Sequence, residues 1–378
     1  LKILHLLYES RDDYFGIGGV GIRAYEIYRY LKDRHEITLL CKKYPGAADG
    51  EREGLTHMFV GTESGSLAKT LLSYAYHASQ FVRRHGKEYD IIVEEFSPAI
   101  PTFLHFMTKR PIILQVQGYS GSLYFRKYNP LYAATLYAME SLRPIFYKNF
   151  IYITSAAADR LRTGQKRRIA IISNGISPDL LKIVPVEGEY ILYLGRIDIY
   201  GKGLDILLKA YKDFYAAFPA IRLVIAGDGR DMEKFKDMLM DLPEDVRKNV
   251  ELLGWVDGVR KGEVIRRALC TVFPSRHEIQ SIALIEALAG EKPVIVSSIT
   301  EFRIVAEKGA GISFETQDAS SLTQSMNTLI TSKEREEMGR RGREWVRDLT
   351  WDKIALKYEN FLQDIVSGRK PQELEEFF

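Results

Sequence analysis

Short apolar runs alternate along the chain with longer segments whose apolar residues recur every three or four positions. In the first half, Lys2–Tyr8, Glu36–Cys41, Asp90–Glu94, Ile112–Val116, Phe150–Thr154 and Arg168–Ile172 read as strands. Helical patterns such as Gly21–Leu31 and Leu67–Arg84 lie between them. The second half repeats the scheme, with strands expected at Tyr190–Leu194, Arg222–Ala226, Val250–Leu253, Thr271–Phe273, Val294–Ser297 and Ile312–Phe314. Its clearest helix carries Leu204, Leu207, Leu208, Tyr211 and Phe214 on one stripe. Such β–α alternation predicts two α/β domains, each a mainly parallel sheet covered by helices on both faces. Ligands of such sheets bind in the crevice at the carboxyl ends of the strands.

The segment PDLLKIVPVEGEY carries two prolines and a glycine and reads as a linker. The expected domains are therefore residues 1–186 and 187–350, followed by a tail, 351–378. That tail is helical over Trp351–Val366, with Ile354, Tyr358, Phe361, Leu362 and Ile365 on one face, and ends loosely over 367–378.

The chain of 378 residues has room for two or three domains. Its two cysteines, Cys41 and Cys270, exclude a disulfide framework or a cysteine-based zinc site, and both sit in apolar runs as expected of reduced, buried thiols. A cytoplasmic location agrees with this. No apolar run approaches the length of a bilayer span, and the chain opens on a strand-like KILHLLYE, so neither a transmembrane segment nor a signal peptide is expected. Charge is uneven: residues 1–186 contain 25 Lys and Arg against 17 Asp and Glu, whereas residues 187–378 contain 28 against 33. A basic first half suits an anionic partner, such as a membrane surface or a phosphorylated acceptor.

Three constellations carry chemistry. GIGGVGIRAYEIYRYL (16–31) matches G-x-G-x-x-G, but SRDDYF intervenes between the preceding strand and the glycines, and the next strand ends without an acidic residue for a ribose hydroxyl. The nicotinamide reading fails on both counts. What survives is a glycine loop, Gly18 and Gly19 in particular, that a ligand can approach closely, ahead of a helix whose N-terminus favours an anion. In YLGRIDIYGKGLDILLKAY (193–211), Arg196 follows a strand and Lys202 opens a helix, a pair of cations suited to a diphosphate. In FPSRHEIQSIALIEALAGEKPVIVSS (273–298), Glu278 lies in a loop, Ser281 is the expected N-cap, and Glu286 falls on the short helix that follows. The N–H groups of Gln280, Ser281 and Ile282 would be free at that helix start, and a carboxylate can accept two sugar hydroxyls at once.

These segments, with I-S-N-G-I (172–176), L-V-I-A-G-D-G (223–229) and E-L-L-G-W-V (251–256), resemble the GT-B-fold retaining glycosyltransferases of family GT4. The resemblance covers nearly the whole chain and is strongest in the second half. It implies two Rossmann-like domains facing each other across a cleft, with the tail helix returning to the first. It implies a nucleotide-sugar donor, UDP- or GDP-linked, whose diphosphate is bound by Arg196 and Lys202 beside the Gly18–Gly19 loop. Glu286 would bind the ribose hydroxyls. Glu278 would lie at the donor sugar, with the N–H groups of Gln280, Ser281 and Ile282 on the sugar hydroxyls. Transfer to a hydroxyl acceptor would retain configuration, with Glu278, Arg196 and Lys202 as the catalytic set. No cofactor or metal is expected; the sequence contains no Asp-x-Asp and no H-x-x-x-H. Nucleic acid is not an expected partner.

Gln117 stands where the family usually carries a histidine near the donor sugar, and an amide can hydrogen-bond a hydroxyl but cannot act as a base. Ser281 stands where glycine is common. A non-catalytic GT-B partner subunit and a nucleotide-sugar epimerase are the alternatives. Glu94 and Glu95 end a strand and are either acceptor-binding residues or salt-bridge partners. His277 adjoins Glu278. The Tyr-, Phe-, Lys- and Arg-rich stretch 118–150 is either a packed helical hairpin or a surface for an anionic membrane and a lipid-linked acceptor.

Overall fold

The computed structural model describes residues 1–10, 17–63, 66–155, 158 and 167–369. The chain divides into two units, residues 1–174 with 351–378, and residues 175–350.

The first unit is built on eight strands: β1 (Lys2–Leu6), β2 (Glu36–Lys42), β3 (Gly50–Arg52), β4 (Leu55–Val60), β5 (Ile91–Glu95), β6 (Ile112–Val116), β7 (Asn149–Tyr152) and β8 (Arg168–Ile171). Their order is β3-β4-β2-β1-β5-β6-β7-β8, all parallel except β3, which pairs antiparallel with β4. Among the described residues, α1 (Gly19–Leu31), α2 (Leu67–His85), α3 (Tyr124–Lys127) and α4 (Pro130–Leu142) lie between these strands. β5 and β6 are buried from end to end, so their residues do not alternate between polar and apolar, and Glu94, Glu95 and Gln115 are buried along with the apolar residues. The β3–β4 hairpin is absent from the sequence expectation. Its first strand is only three residues long, and the turn between them needs positive φ at Glu53 (54°) and Gly54 (78°), which one glycine in an otherwise polar segment signals poorly.

The second unit is a six-stranded, all-parallel sheet: β9 (Tyr190–Leu194), β10 (Arg222–Ala226), β11 (Val250–Gly254), β12 (Ala268–Phe273), β13 (Val294–Ser297) and β14 (Gly311–Phe314), in the order β11-β10-β9-β12-β13-β14. Its helices are α5 (Leu204–Tyr215), α6 (Met232–Met240), α7 (Glu244–Lys248), α8 (Gly258–Arg266), α9 (Ile282–Ala289), α10 (Arg303–Glu307), α11 (Ala319–Thr331) and α12 (Arg335–Val346). The expected stripe on α5 is buried in the core with Ile225, Phe235 and Met326.

The two units divide between Asn174 and Gly175, ahead of the boundary expected near Val186. The segment that reads as a linker is bound to the second unit. Ile176 N–H donates to Leu349 O (2.8 Å), Arg343 Nη2 to Ile183 O (2.7 Å) and Lys292 Nζ to Val186 O (3.0 Å). At the other end, α13 (Trp351–Ser367) joins the first unit. Its buried face, Ile354, Tyr358, Phe361, Leu362 and Ile365, is the expected one. Tyr358 Oη lies 3.4 Å from Tyr28 Oη of α1, and Glu359 accepts from Arg34 and His35 (2.6 and 2.7 Å). Of the expected loose end, Ser367 is still helical, and residues 370–378 lie outside the described residues.

Each sheet has one point where the strand order changes direction, between β1 and β5 in the first and between β9 and β12 in the second. Loops leaving these strands diverge to opposite sides and open a crevice between them. Glu9, Arg196 and Glu278 all follow such strands, and Glu95 ends one.

Candidate functional site

In the second unit the loop after β9 carries Arg196, and its backbone is fixed from both sides. Tyr193 Oη donates to Arg196 O (2.7 Å), and Ile197 N–H donates to Asp228 O (2.9 Å). The Arg196 side chain is exposed and forms no ion pair among the described residues. Burial, together with the nearby carboxylates of Glu278 and Asp198, pushes the Tyr193 phenol well above its usual range, so it stays a neutral donor.

Lys202 and Glu278, 76 residues apart, meet directly, Nζ to Oε1. Glu278 Oε1 also accepts from Ser275 Oγ (2.9 Å). The two loops that carry this pair are pinned by contacts that sequence reading did not single out. Arg276 donates to both oxygens of Asp205 (2.8 and 2.7 Å) and to Tyr200 O (2.7 Å), and its guanidinium lies 4.4 Å from the centre of the Tyr200 ring. Burial pushes the Asp205 carboxyl up, but the hydrogen bonds and charge of Arg276 outweigh it and hold it below the usual carboxylate range. Gly203 adopts φ 66°, and a Cβ there would stand 2.0 Å from Pro274 O, so only glycine allows the loops to close on each other. The signal for Arg276 was its place in P-S-R-x-E, next to the carboxylate that it helps to orient.

At α9, Ser281 is the N-cap expected from sequence, its Oγ accepting from Leu284 N–H (3.3 Å). The N–H groups of Ser281 and Ile282 find no acceptor among the described residues, which leaves donors at the positive end of the helix. Gln280 is half-buried beside them. Glu286 is buried on α9, and its Oε1 accepts from Lys261 Nζ of α8 (2.8 Å), while Oε2 has no partner among the described residues. Lys261 was missed; no motif marks it, because only the packing of α8 beside α9 brings it to Glu286.

In the first unit the glycine loop holds its own anion. Glu9 Oε2 accepts from Gly18 N–H (2.9 Å) and Gly21 N–H (2.8 Å), so the N-terminus of α1, expected to await a ligand, is met by a side chain of the chain itself. Gly19 differs: it is exposed, and a Cβ would meet nothing within 4 Å. Gly16 lies outside the described residues. Gln117 follows β6 and donates from Nε2 to Glu95 Oε2 (3.0 Å). Glu94 is the salt-bridge partner and not an acceptor-binding group: it is buried against Arg143, Thr102 and Tyr147 (2.6 Å from Tyr147 Oη). Among the described residues no group of His, Cys, Asp and Glu could hold a metal ion.

Two parallel-sheet, Rossmann-like units, each with loops at a switch point, together with a tail helix belonging to the first unit, define the GT-B fold. The same fold is seen in sucrose-phosphate synthase from Thermosynechococcus elongatus (TM-score 0.77, 16% identity, covering 97% of this chain and 99% of that one). It is seen also in Anabaena HepE, solved in complex with UDP and glucose (TM-score 0.71, 15% identity, 96% and 99%). Residues 17–180 match the family described as Glycosyltransferase Family 4, and residues 182–345 match Glycosyl transferases group 1. The chain belongs to the GT4-type glycosyltransferases. Among curated relatives it is 30% identical over 211 residues to the phosphatidyl-myo-inositol mannosyltransferase of Mycobacterium leprae, a match covering 53% of this chain and 55% of that protein. The chain spans about half the length of the curated relatives that head its matches.

Proposed function

We propose that this protein is a retaining, metal-independent hexosyltransferase that moves a sugar from a UDP- or GDP-sugar to a hydroxyl acceptor. The observation that carries the proposal is the meeting of Lys202 and Glu278 between the loops after β9 and β12, with Arg196, unpaired among the described residues, on the first of these loops and the open N–H groups of α9 following the second. A guanidinium and an ammonium supply the charge that a departing nucleoside diphosphate needs. Glu278 and the α9 donors address sugar hydroxyls, and Glu286, with one carboxylate oxygen unpaired among the described residues, addresses the ribose. UDP and glucose in HepE, a protein of the same fold, agree with such a donor.

The acceptor in this reading is lipid-linked, as the name of the Mycobacterium relative suggests for that protein. Support comes from α4. Its inner face buries Ala133, Leu136 and Glu140, and Glu140 accepts from the N–H groups of Ser120 and Gly121 (2.9 and 2.7 Å). Its outer face is uncharged and exposes Leu131 (81%), Tyr132, Tyr137 and Leu142, with Tyr128 before it and Ile145 and Phe146 after it. An uncharged face this long on a surface helix suits a membrane interface. No helix among the described residues is long and apolar enough to cross a membrane.

A thermal-shift screen with UDP, GDP, UDP-glucose and GDP-mannose tests the donor assignment, because a ligand of the folded state raises the melting temperature. Product analysis with the donor that binds separates transfer from epimerisation. A chain that binds none of the four is not a transferase of this kind.

A further inference from the structure

From Phe96 to Ala158 the sequence holds six basic residues and one acidic residue, Glu140. Glu140 is buried, and its oxygens accept from Ser120 N–H, Gly121 N–H and Tyr124 Oη, so it presents no charge to the surface. Of the basic residues, Arg143 is buried against Glu94, whereas Lys109, Arg110 and Lys148 are exposed. The uncharged outer face of α4 thus belongs to a segment with exposed cations and no exposed carboxylate. That balance complements an anionic lipid surface. The apolar positions also continue past α4. Phe106, in the turn before β6, is 70% exposed, and its ring centre lies 5.9 Å from that of Phe146, which follows α4.

The topology sets the direction of this strip. α4 follows the carboxyl end of β6 and leads to the amino end of β7, which is parallel to β6, so α4 runs antiparallel to the strands. Leu131, in its first turn, and Leu142, its last residue, are about three helical turns, or roughly 16 Å, apart on one side of the helix. Exposed apolar side chains therefore reach from the carboxyl edge of the first sheet at Leu131 to its amino edge at Phe146 and Phe106. We propose that the first unit lies on an anionic lipid surface along this flank, with α4 in the plane of the interface and the strands parallel to the membrane. The proposal rests on the membrane reading above and adds the charge of the lipid and the orientation of the unit. The carboxyl edge of the sheet, with the glycine loop that follows β1, then stands at the level of the headgroups, and an acceptor anchored in lipid reaches it without leaving the bilayer. Docking by the Phe106–Phe146 end alone would lift that edge about 20 Å off the surface, the length of α4.

The experiment places a polarity-sensitive dye at each end of the strip. Cys41 and Cys270 are buried, so a cysteine added at the surface is the one that takes the dye. Leu131→Cys reports the carboxyl end and Phe106→Cys the amino end. Leu356→Cys, at an exposed position of α13, is the control on the other face of the sheet. There α13 meets Tyr28 of α1, whose ring lies on His5, while Leu4 and Leu6 on either side of His5 point the opposite way into the core with Tyr147. All three positions are exposed, so each variant should melt with the parent. On vesicles of phosphatidylglycerol and phosphatidylcholine at low salt, the dyes at positions 131 and 106 should both shift to the blue and be quenched by brominated lipid, and the dye at position 356 should keep its emission in water. A response at position 106 with none at 131 overturns the flat orientation while the membrane reading stands. A response at position 356 as strong as at the other two overturns it too, since the protein then adsorbs by no preferred face. An equal response on vesicles of phosphatidylcholine alone overturns the anionic partner. Failure of the parent protein to co-sediment with the phosphatidylglycerol vesicles overturns the membrane reading itself and this inference with it.

Discussion

The backbone N–H of Gly18 donates to the carboxylate of Glu9 over 2.9 Å, and Gly21 donates to the same oxygen over 2.8 Å. The negative end of this contact is covalent to the chain, so the helix dipole of α1 is partly satisfied before any ligand arrives. The glycines of the loop consequently differ in purpose. A Cβ on Gly18 would approach Glu9 Oε1 to 2.9 Å and one on Gly21 would approach Ile17 Cγ1 to 2.6 Å, whereas Gly19 has open space. Gly19→Ala should leave the melting temperature unchanged or raise it slightly, since alanine is the better helix former by about 1 kcal/mol, yet weaken nucleotide-sugar binding if a ligand comes close there. Gly21→Ala should lower the melting temperature. Equal behaviour of the two variants in both measurements would show that Gly19 has no ligand to accommodate.

Arg196 and Lys202 should separate binding from stability. Charge-assisted hydrogen bonds to a diphosphate are worth about 1.5–3 kcal/mol, so Arg196→Ala and Lys202→Ala should each weaken UDP or GDP binding about ten- to a hundredfold by titration calorimetry. Arg196 is exposed and unpaired among the described residues, so its loss should leave the melting temperature alone. Lys202→Ala leaves the Glu278 carboxylate, 10% exposed, with Ser275 Oγ as its only partner among the described residues, and should lower it. Unchanged nucleotide binding in both variants would remove the diphosphate assignment.

Glu286→Ala should reduce affinity for the ordinary nucleotide more than for its 2′,3′-dideoxy analogue, because a site that pairs with hydroxyls discriminates through the groups left unpaired. Lys261→Met tests the neighbouring contact: it removes the 2.8 Å partner of Glu286 Oε1 and should weaken ribose discrimination in the same direction. Parallel losses for both nucleotides would make Glu286 a packing residue of α9.

The outer face of α4 is tested by co-sedimentation with liposomes. Leu131→Glu and Ile145→Glu place charges on exposed apolar positions and should reduce binding to anionic vesicles at low salt without changing nucleotide binding. Binding of the parent protein should fall as salt rises. If the parent ignores anionic vesicles at low salt, the acceptor is not presented at a membrane.

The attachment of α13 carries a pH signature. Burial pushes the Glu359 carboxyl up, but hydrogen bonds from His35 and Arg34 outweigh it and hold it below the usual carboxylate range. A folded-state value below the unfolded one gives stability that is present above the unfolded value and lost as pH falls through the folded one. Glu359→Gln should therefore cost about 1 kcal/mol at neutral pH, discounted for the half-exposed Arg34, and the difference from the parent should shrink below about pH 4 in chemical denaturation. A difference constant down to pH 3 would assign the effect to packing.

What the sequence determined is what local pattern and chain order can express. Both parallel sheets, the stripe of α5, the Ser281 cap and the apolar face of Trp351–Ser367 were legible because helix period, strand burial and capping are each written in a few neighbouring residues. Arg196, Lys202, Glu278 and Glu286 could be singled out because short motifs carry them, and the structure brings Lys202 to Glu278. The tertiary structure alone decided who meets whom. The segment around Val186 reads as a linker because of its prolines, yet Lys292 and Arg343 bind it to the second unit through backbone carbonyls that no side-chain pattern announces. Glu94 and Glu95 are identical neighbours in sequence, but alternation along β5 sends one to Arg143 and the other to Gln117. Glu9 finds Gly18, and Lys261 finds Glu286, because a carboxylate buried or half-buried beside a helix end takes the nearest donor that folding brings within 3 Å, and proximity across the chain is a property of the packed molecule, not of any stretch of its sequence.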